Sequence, residues 1–107
     1  MLWQIYMEGS ELRINTKHQN KVWVYHLITR LKTEPRFEVK ALGSAIPNAI
    51  ASVKIVEGRG YAQIVGIESG IVQSTLSKLP SLCITIERSP NFNEVYERLA
   101  PQTLLAS

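Results

Sequence analysis

The spacing of apolar residues changes period several times along the chain, and each change marks an element. Leu12 and Ile14 alternate with Glu11 and Arg13, the period of a short first strand. Val24, Leu27, Ile28 and Leu31 then recur at i, i+3, i+4 and i+7, which predicts an amphipathic helix over residues 17–32. Asn15-Thr16 offers capping oxygens in front of it, and Thr33-Glu34-Pro35 ends it, because the residue before a proline disfavours helix. The opposite face of this helix presents His18, Lys21, Tyr25, Thr29 and Lys32. Phe37, Val39 and Ala41 alternate with Glu38 and Lys40 as a second strand. After Gly43, Ser44 is positioned to cap a second helix, and Pro47 is tolerated in its first turn. Ile46, Ala49, Ile50 and Val53 form the apolar stripe of that helix, and Gly58-Arg59-Gly60 stops it.

The second half of the chain reads as β-structure. Tyr61 to about Val72 is rich in Val and Ile and predicts a third strand; Leu79 to Arg88 predicts a fourth, with residues 73–78 as the hairpin arm between them. Residues 91–99, after Pro90, predict a short terminal helix. The expected order is β-α-β-α-β-β, one α/β (α+β) domain built as a two-layer sandwich over residues 11–99. An apolar adaptor segment, residues 1–10, precedes it and a tail, residues 100–107, follows. A chain of 107 residues has room for one core of this kind and not for two.

Charge is distributed unevenly. Residues 1–59 hold nine Lys/Arg against five Glu, whereas residues 60–107 hold three against four. A positive first half within a chain of net charge +3 points to a polyanionic partner. The single cysteine, Cys83, lies in the apolar run 82–86 and is expected to be a buried small hydrophobe; a chain with no internal disulfide suits a reducing, intracellular compartment. No apolar run reaches the ~18 residues that span a bilayer, and the apolar start lacks the basic leader of a signal peptide.

Catalytic chemistry is thin. There is no aspartate, and the two histidines, His18 and His26, stand apart from a metal-ligand spacing. Gly58-x-Gly60 is a helix stop and not a phosphate loop. The expectation is a binding protein with no catalytic residues, no metal, no cofactor and no small-molecule substrate.

Four stretches carry a resemblance. Asn15-Thr16-Lys17-His18 is similar to the Lys-Lys opening of the first helix in the Alba family. Phe37-Glu38-Val39-Lys40-Ala41-Leu42-Gly43-Ser44-Ala45-Ile46 resembles the strand–turn–helix signature of Alba-like proteins. The run Ile55 to Ala62 resembles the end of their second helix and the start of their long third strand, and Glu87 to Leu99 resembles the fourth strand and tail of eukaryotic Alba-like chains. Together these cover residues 12–99 in the family's order.

The resemblance implies an Alba-like fold, dimerisation, and binding of DNA or RNA without catalysis. Relatives include chromatin proteins, RNA-binding regulators and small protein subunits of ribonuclease P and MRP. It implies nucleic-acid contacts at the helix opening, at the turn before the second helix and along the arm. Carried onto this chain, these are Lys17, His18, Lys40, Ser44 and Lys78, with Lys21 one helical turn beyond Lys17. His18 stands where the family often has a second lysine, and Ser44 where archaeal members often have arginine. The arm has Lys78 as its one cation, where many relatives carry several. A phosphate-binding dimer that slightly favours RNA over DNA is therefore expected in the cytoplasm or nucleus, with Tyr25 and Trp23 as candidates for base stacking. The other class is an interaction subunit that pairs with a different Alba-like chain inside a ribonucleoprotein or chromatin complex. In either case the third strand and second helix are expected to form the pairing face, as a homodimer or heterodimer.

Overall fold

The computed structural model describes residues 11–73 and 75–105; the adaptor segment 1–10, Ser74 of the arm and the last two residues lie outside them. The elements are β1 (Glu11–Ile14), α1 (Asn20–Thr33), β2 (Arg36–Leu42), a 3-10 turn (Gly43–Ala45), α2 (Ile46–Gly58), β3 (Ala62–Gln73), β4 (Lys78–Arg88) and α3 (Phe92–Leu105). This is the expected order, with a terminal helix longer than residues 91–99. The four strands form one sheet in the order β1-β2-β4-β3. β1 and β2 run parallel, and β4 pairs antiparallel with both β2 and β3.

Register decides which side chains share a face. Val39 pairs with Leu12 and Ile84, while Lys40 pairs with Arg13 and Cys83. The first set faces the helices and the second faces away. Phe37, Val39, Ile84 and Ile86 of the sheet are buried against Leu27, Ile28 and Leu31 of α1 and Val53 and Val56 of α2. Tyr61, which precedes β3, is wholly buried, and its ring lies 6.0 Å from that of Phe92 on α3. Ser89 N–H donates to the Tyr61 carbonyl at 3.0 Å, tying the start of α3 to that corner.

Two boundaries differ from expectation. The first helix begins at Asn20 and not at residue 17, since the Asn15 Oδ1 accepts the Lys17 N–H at 2.9 Å and folds that stretch into a local turn instead of capping a helix. Ser44 is not a cap either: Gly43 takes a left-handed φ of 54°, a 3-10 turn follows, and Ala45 is the residue before α2 with no side-chain cap. Two burial expectations also change. Ile50 is 45% exposed although it lies in the apolar pattern of α2. Cys83 is half-buried on the face away from the helices; burial pushes its thiol pKa up, and Glu38 adds to the effect.

Candidate functional site

Topology brings distant segments to one end of the sheet. Each of β1 and β2 runs toward this end and passes into a helix, so α1 and α2 both begin there. β4 is antiparallel to β2, so the β3–β4 hairpin also turns there. The β1–α1 loop, the Gly43–Ala45 turn and the hairpin therefore converge. A helix N-terminus leaves backbone N–H groups unpaired and carries a partial positive charge. Two point to this end, and neither helix has an acidic residue in its first turn.

The segments that meet here contain no acid at all. Residues 12–33, 39–56 and 69–86 are free of Asp and Glu. Lys17 and Lys78 are exposed on the loop and the hairpin, and Lys21 is exposed in the first turn of α1. Among the described residues, none of these three ammonium groups has an ion-pair partner. Lys21, and not Lys17, is the lysine that stands on the helix end. The separate acid-free windows were visible in the sequence, but only the fold makes them one surface.

A groove of about 570 Å³ runs into this end, lined by Arg13, Asn15, Thr16, Lys40, Ser44 and Cys83 among others. Lys40 and Ser44 thus share one depression, with Lys17 adjoining its rim in sequence. Lys40 is already engaged: its Nζ lies 3.2 Å from a Glu11 carboxylate oxygen and 3.8 Å from one of Glu38. The hydrogen bond that Lys40 donates to Glu11 is the main reason its pKa is raised. Glu11 is held below its ordinary value of 4.5, by Arg13 first and Lys40 after it. Arg13 was not among the expected contacts; it donates to Glu11 at 2.6 Å and its side chain remains 73% exposed.

Along α1 lies a second feature. Of the two candidates for base stacking, Trp23 is 6% exposed and unavailable, because it faces the core beside Val24. His18 meets its ring edge-on at 5.5 Å, and His26 is tilted against it at 5.6 Å. His26, whose place near the apolar stripe of the helix suggests a core-edge residue, is exposed. Tyr25, 45% exposed, meets His26 edge-on at 5.7 Å. Among the described residues, no group of three His, Cys or Glu side chains could hold a metal ion, and no helix is long and apolar enough to cross a membrane.

No family model matches the sequence, and no curated protein matches it. Similarity lies in the fold. The crystal structure of ALBA1 from Trypanosoma brucei superposes with a TM-score of 0.74 at 19% identity, covering 92% of this chain and 85% of that one. Alba from Thermoplasma volcanium superposes with a TM-score of 0.63 at 20% identity, covering 73% of this chain and 99% of that one.

Proposed function

We propose, starting from the Alba fold that this chain shares with those structures, that it is a nucleic-acid-binding protein gripping the phosphate backbone at the acid-free end of its sheet. The observation that carries this reading is the convergence of two helix N-termini and three lysines that have no ion-pair partner among the described residues, on segments whose sequence holds no acid. Lys17 and Lys21 are the principal phosphate contacts. Ser44 supplies a hydrogen bond beside them, and Lys78 adds charge on the arm. Lys40 is a secondary contact, since Glu11 and Glu38 already neutralise much of its field. Such contacts position the backbone and carry little sequence information. The reading assigns binding and no catalysis, and an intracellular site of action. RNA is favoured over DNA because the arm, with its one lysine among small and apolar residues, has little with which to hold a minor groove.

The working unit is a dimer. Ile67 and Ile71 lie on the helix side of β3 yet are 62% and 71% exposed, and Ile50 of α2 is exposed as well. Covering such side chains is a sufficient reason to pair. The same residues favour the second reading, in which the chain pairs with a different Alba-like subunit that brings the basic arm.

The test replaces Lys17 and Lys21 by Glu and measures binding to a single-stranded RNA over a range of salt. Affinity should fall at least tenfold (about 1.4 kcal/mol) with a flatter salt dependence and an unchanged fold. Unchanged affinity in a folded variant would move the site elsewhere and favour the interaction-subunit reading. Light scattering with and without RNA reads the assembly: two copies of this chain support the homodimer, and a monomer at high micromolar concentration counts against it.

A further inference from the structure

The aromatic row along α1 and the loop before it has no role in the phosphate grip. His18, Tyr25 and His26 are all exposed; the rings of His18 and His26 meet that of Trp23 in the core, and the ring of Tyr25 meets that of His26. Successive centroid distances of 5.5, 5.6 and 5.7 Å from His18 through Trp23 and His26 to Tyr25 link the four rings in one row. The indole Nε1–H of Trp23 is buried with no hydrogen-bond partner, so packing alone fixes this ring. Lys21 lies one helical turn before Tyr25 on the same face, and Lys17 directly precedes His18. Cations therefore alternate with exposed rings along a helix whose sequence has no acid.

We propose that this row is a stacking platform for unpaired nucleobases, and that the nucleic acid bound here is single-stranded across α1. The inference rests on the phosphate-binding reading and makes it specific. A strand whose phosphates sit on Lys17 and Lys21 would bring its next bases over His18, His26 and Tyr25. Every base has a π-face, so rings of this kind accept any sequence. A duplex has its base faces already stacked inside and can offer them only at its ends. The rings carry polar atoms and stand among Gln19, Lys21 and Thr29, which suits a nucleobase better than the aliphatic side of a protein partner.

The probe is a fluorescein-labelled single-stranded oligoadenylate of about 15 nucleotides, near the upper end of the site sizes of single-strand-binding folds. It is compared by anisotropy with an abasic oligodeoxyribose phosphate of the same length, which keeps the charges and removes the bases, and with an RNA duplex. The native protein should bind oligoadenylate at least tenfold more tightly than either comparison strand. The triple variant His18→Ala, Tyr25→Ala and His26→Ala should bind oligoadenylate and the abasic strand alike, with the salt dependence retained. Tyr25→Phe, which keeps the ring, should behave as the native protein and so separates loss of stacking from loss of folding. Equal affinity of the native protein for the base-bearing and abasic strands would overturn the platform and leave the phosphate site standing. A base preference that survives in the triple variant would place base reading elsewhere and overturn it too. Binding to none of the probes would overturn both readings, and capture of a protein partner that depends on Tyr25 in its place would assign the rings to that partner.

Discussion

The two ends of the sheet are made from the same strands and treat charge in opposite ways. Where α1 and α2 finish, the cations are engaged. Arg30 pairs with Glu34 and donates to the Glu11 carbonyl at 3.0 Å. Arg36 approaches Glu87 at 4.0 Å, Lys54 pairs with Glu57 at 3.5 Å, and Arg88 donates to the Leu31 carbonyl at 3.1 Å. Lys32 lies 4.8 Å from the Tyr96 ring centroid. At the end where the helices begin, Lys17, Lys21 and Lys78 face no carboxylate among the described residues, and two helix N-termini add to their field. One end uses its charges to complete the fold; the other leaves them available to a polyanion. The difference separates positions whose loss should cost stability from positions whose loss should cost binding.

The largest expected effect belongs to the engaged end. Tyr61 is fully buried against Phe92, so Tyr61→Ala should lower unfolding free energy by about 3–5 kcal/mol in a denaturant titration. The fraction that remains folded should bind RNA as before; a binding loss in that folded fraction would break the division between the ends. Next in size is the contrast between single cations. Lys17→Gln should reduce the magnitude of the logarithmic salt slope of RNA binding by about 0.7–0.9, whereas Arg36→Gln at the other end should leave it alone. Equal slopes for the two variants would mean that the field is not localised as drawn.

Glu11 links the two regimes, since it carries both Arg13 and Lys40. Its pKa is lowered in the fold, so its contribution to stability is present above 4.5 and is lost as pH falls through the folded value. Lys40 has the opposite sign: its pKa is raised, so its contribution is present below 10.5 and is lost as pH rises through the folded value. Both partners are partly solvated, so Glu11→Gln should remove no more than about 1 kcal/mol, and only above the acid range. Thermal melts of the native protein and the variant should converge as pH drops below the Glu11 value. The smallest effect is expected at Ser52 on α2, wholly buried with its hydroxyl lacking a partner. Ser52→Ala removes an unsatisfied group and improves helix propensity, and should raise stability by about 0.5 kcal/mol in the same melts without altering binding.

Much of the fold was legible because its signals are local. The stripe Val24, Leu27, Ile28 and Leu31 is buried as its spacing required, and the alternation in Phe37, Val39 and Ala41 set the face of β2. Misplaced features depended on competition or on neighbours. Asn15 could cap a helix or close a turn, and the turn won. Ile50 carries an apolar side chain that the described residues leave 45% exposed. Trp23 and Tyr25 were both candidates for base stacking; two residues apart on a helix, they point about 200° apart, and only one can face the core.

By itself, the sequence determined the element order, the face each element buries and the three windows without acid, because periodicity and local charge are properties of residues close together in the chain. It could not state that those windows meet. Strand order β1-β2-β4-β3 and the parallel pairing of β1 with β2 bring both helix starts and the hairpin to one end, and the same pairing puts Lys40 beside Glu11. Contacts of that kind join residues dozens of positions apart, and they exist only once the sheet has closed and its register has chosen which charges are answered and which are left to face outward.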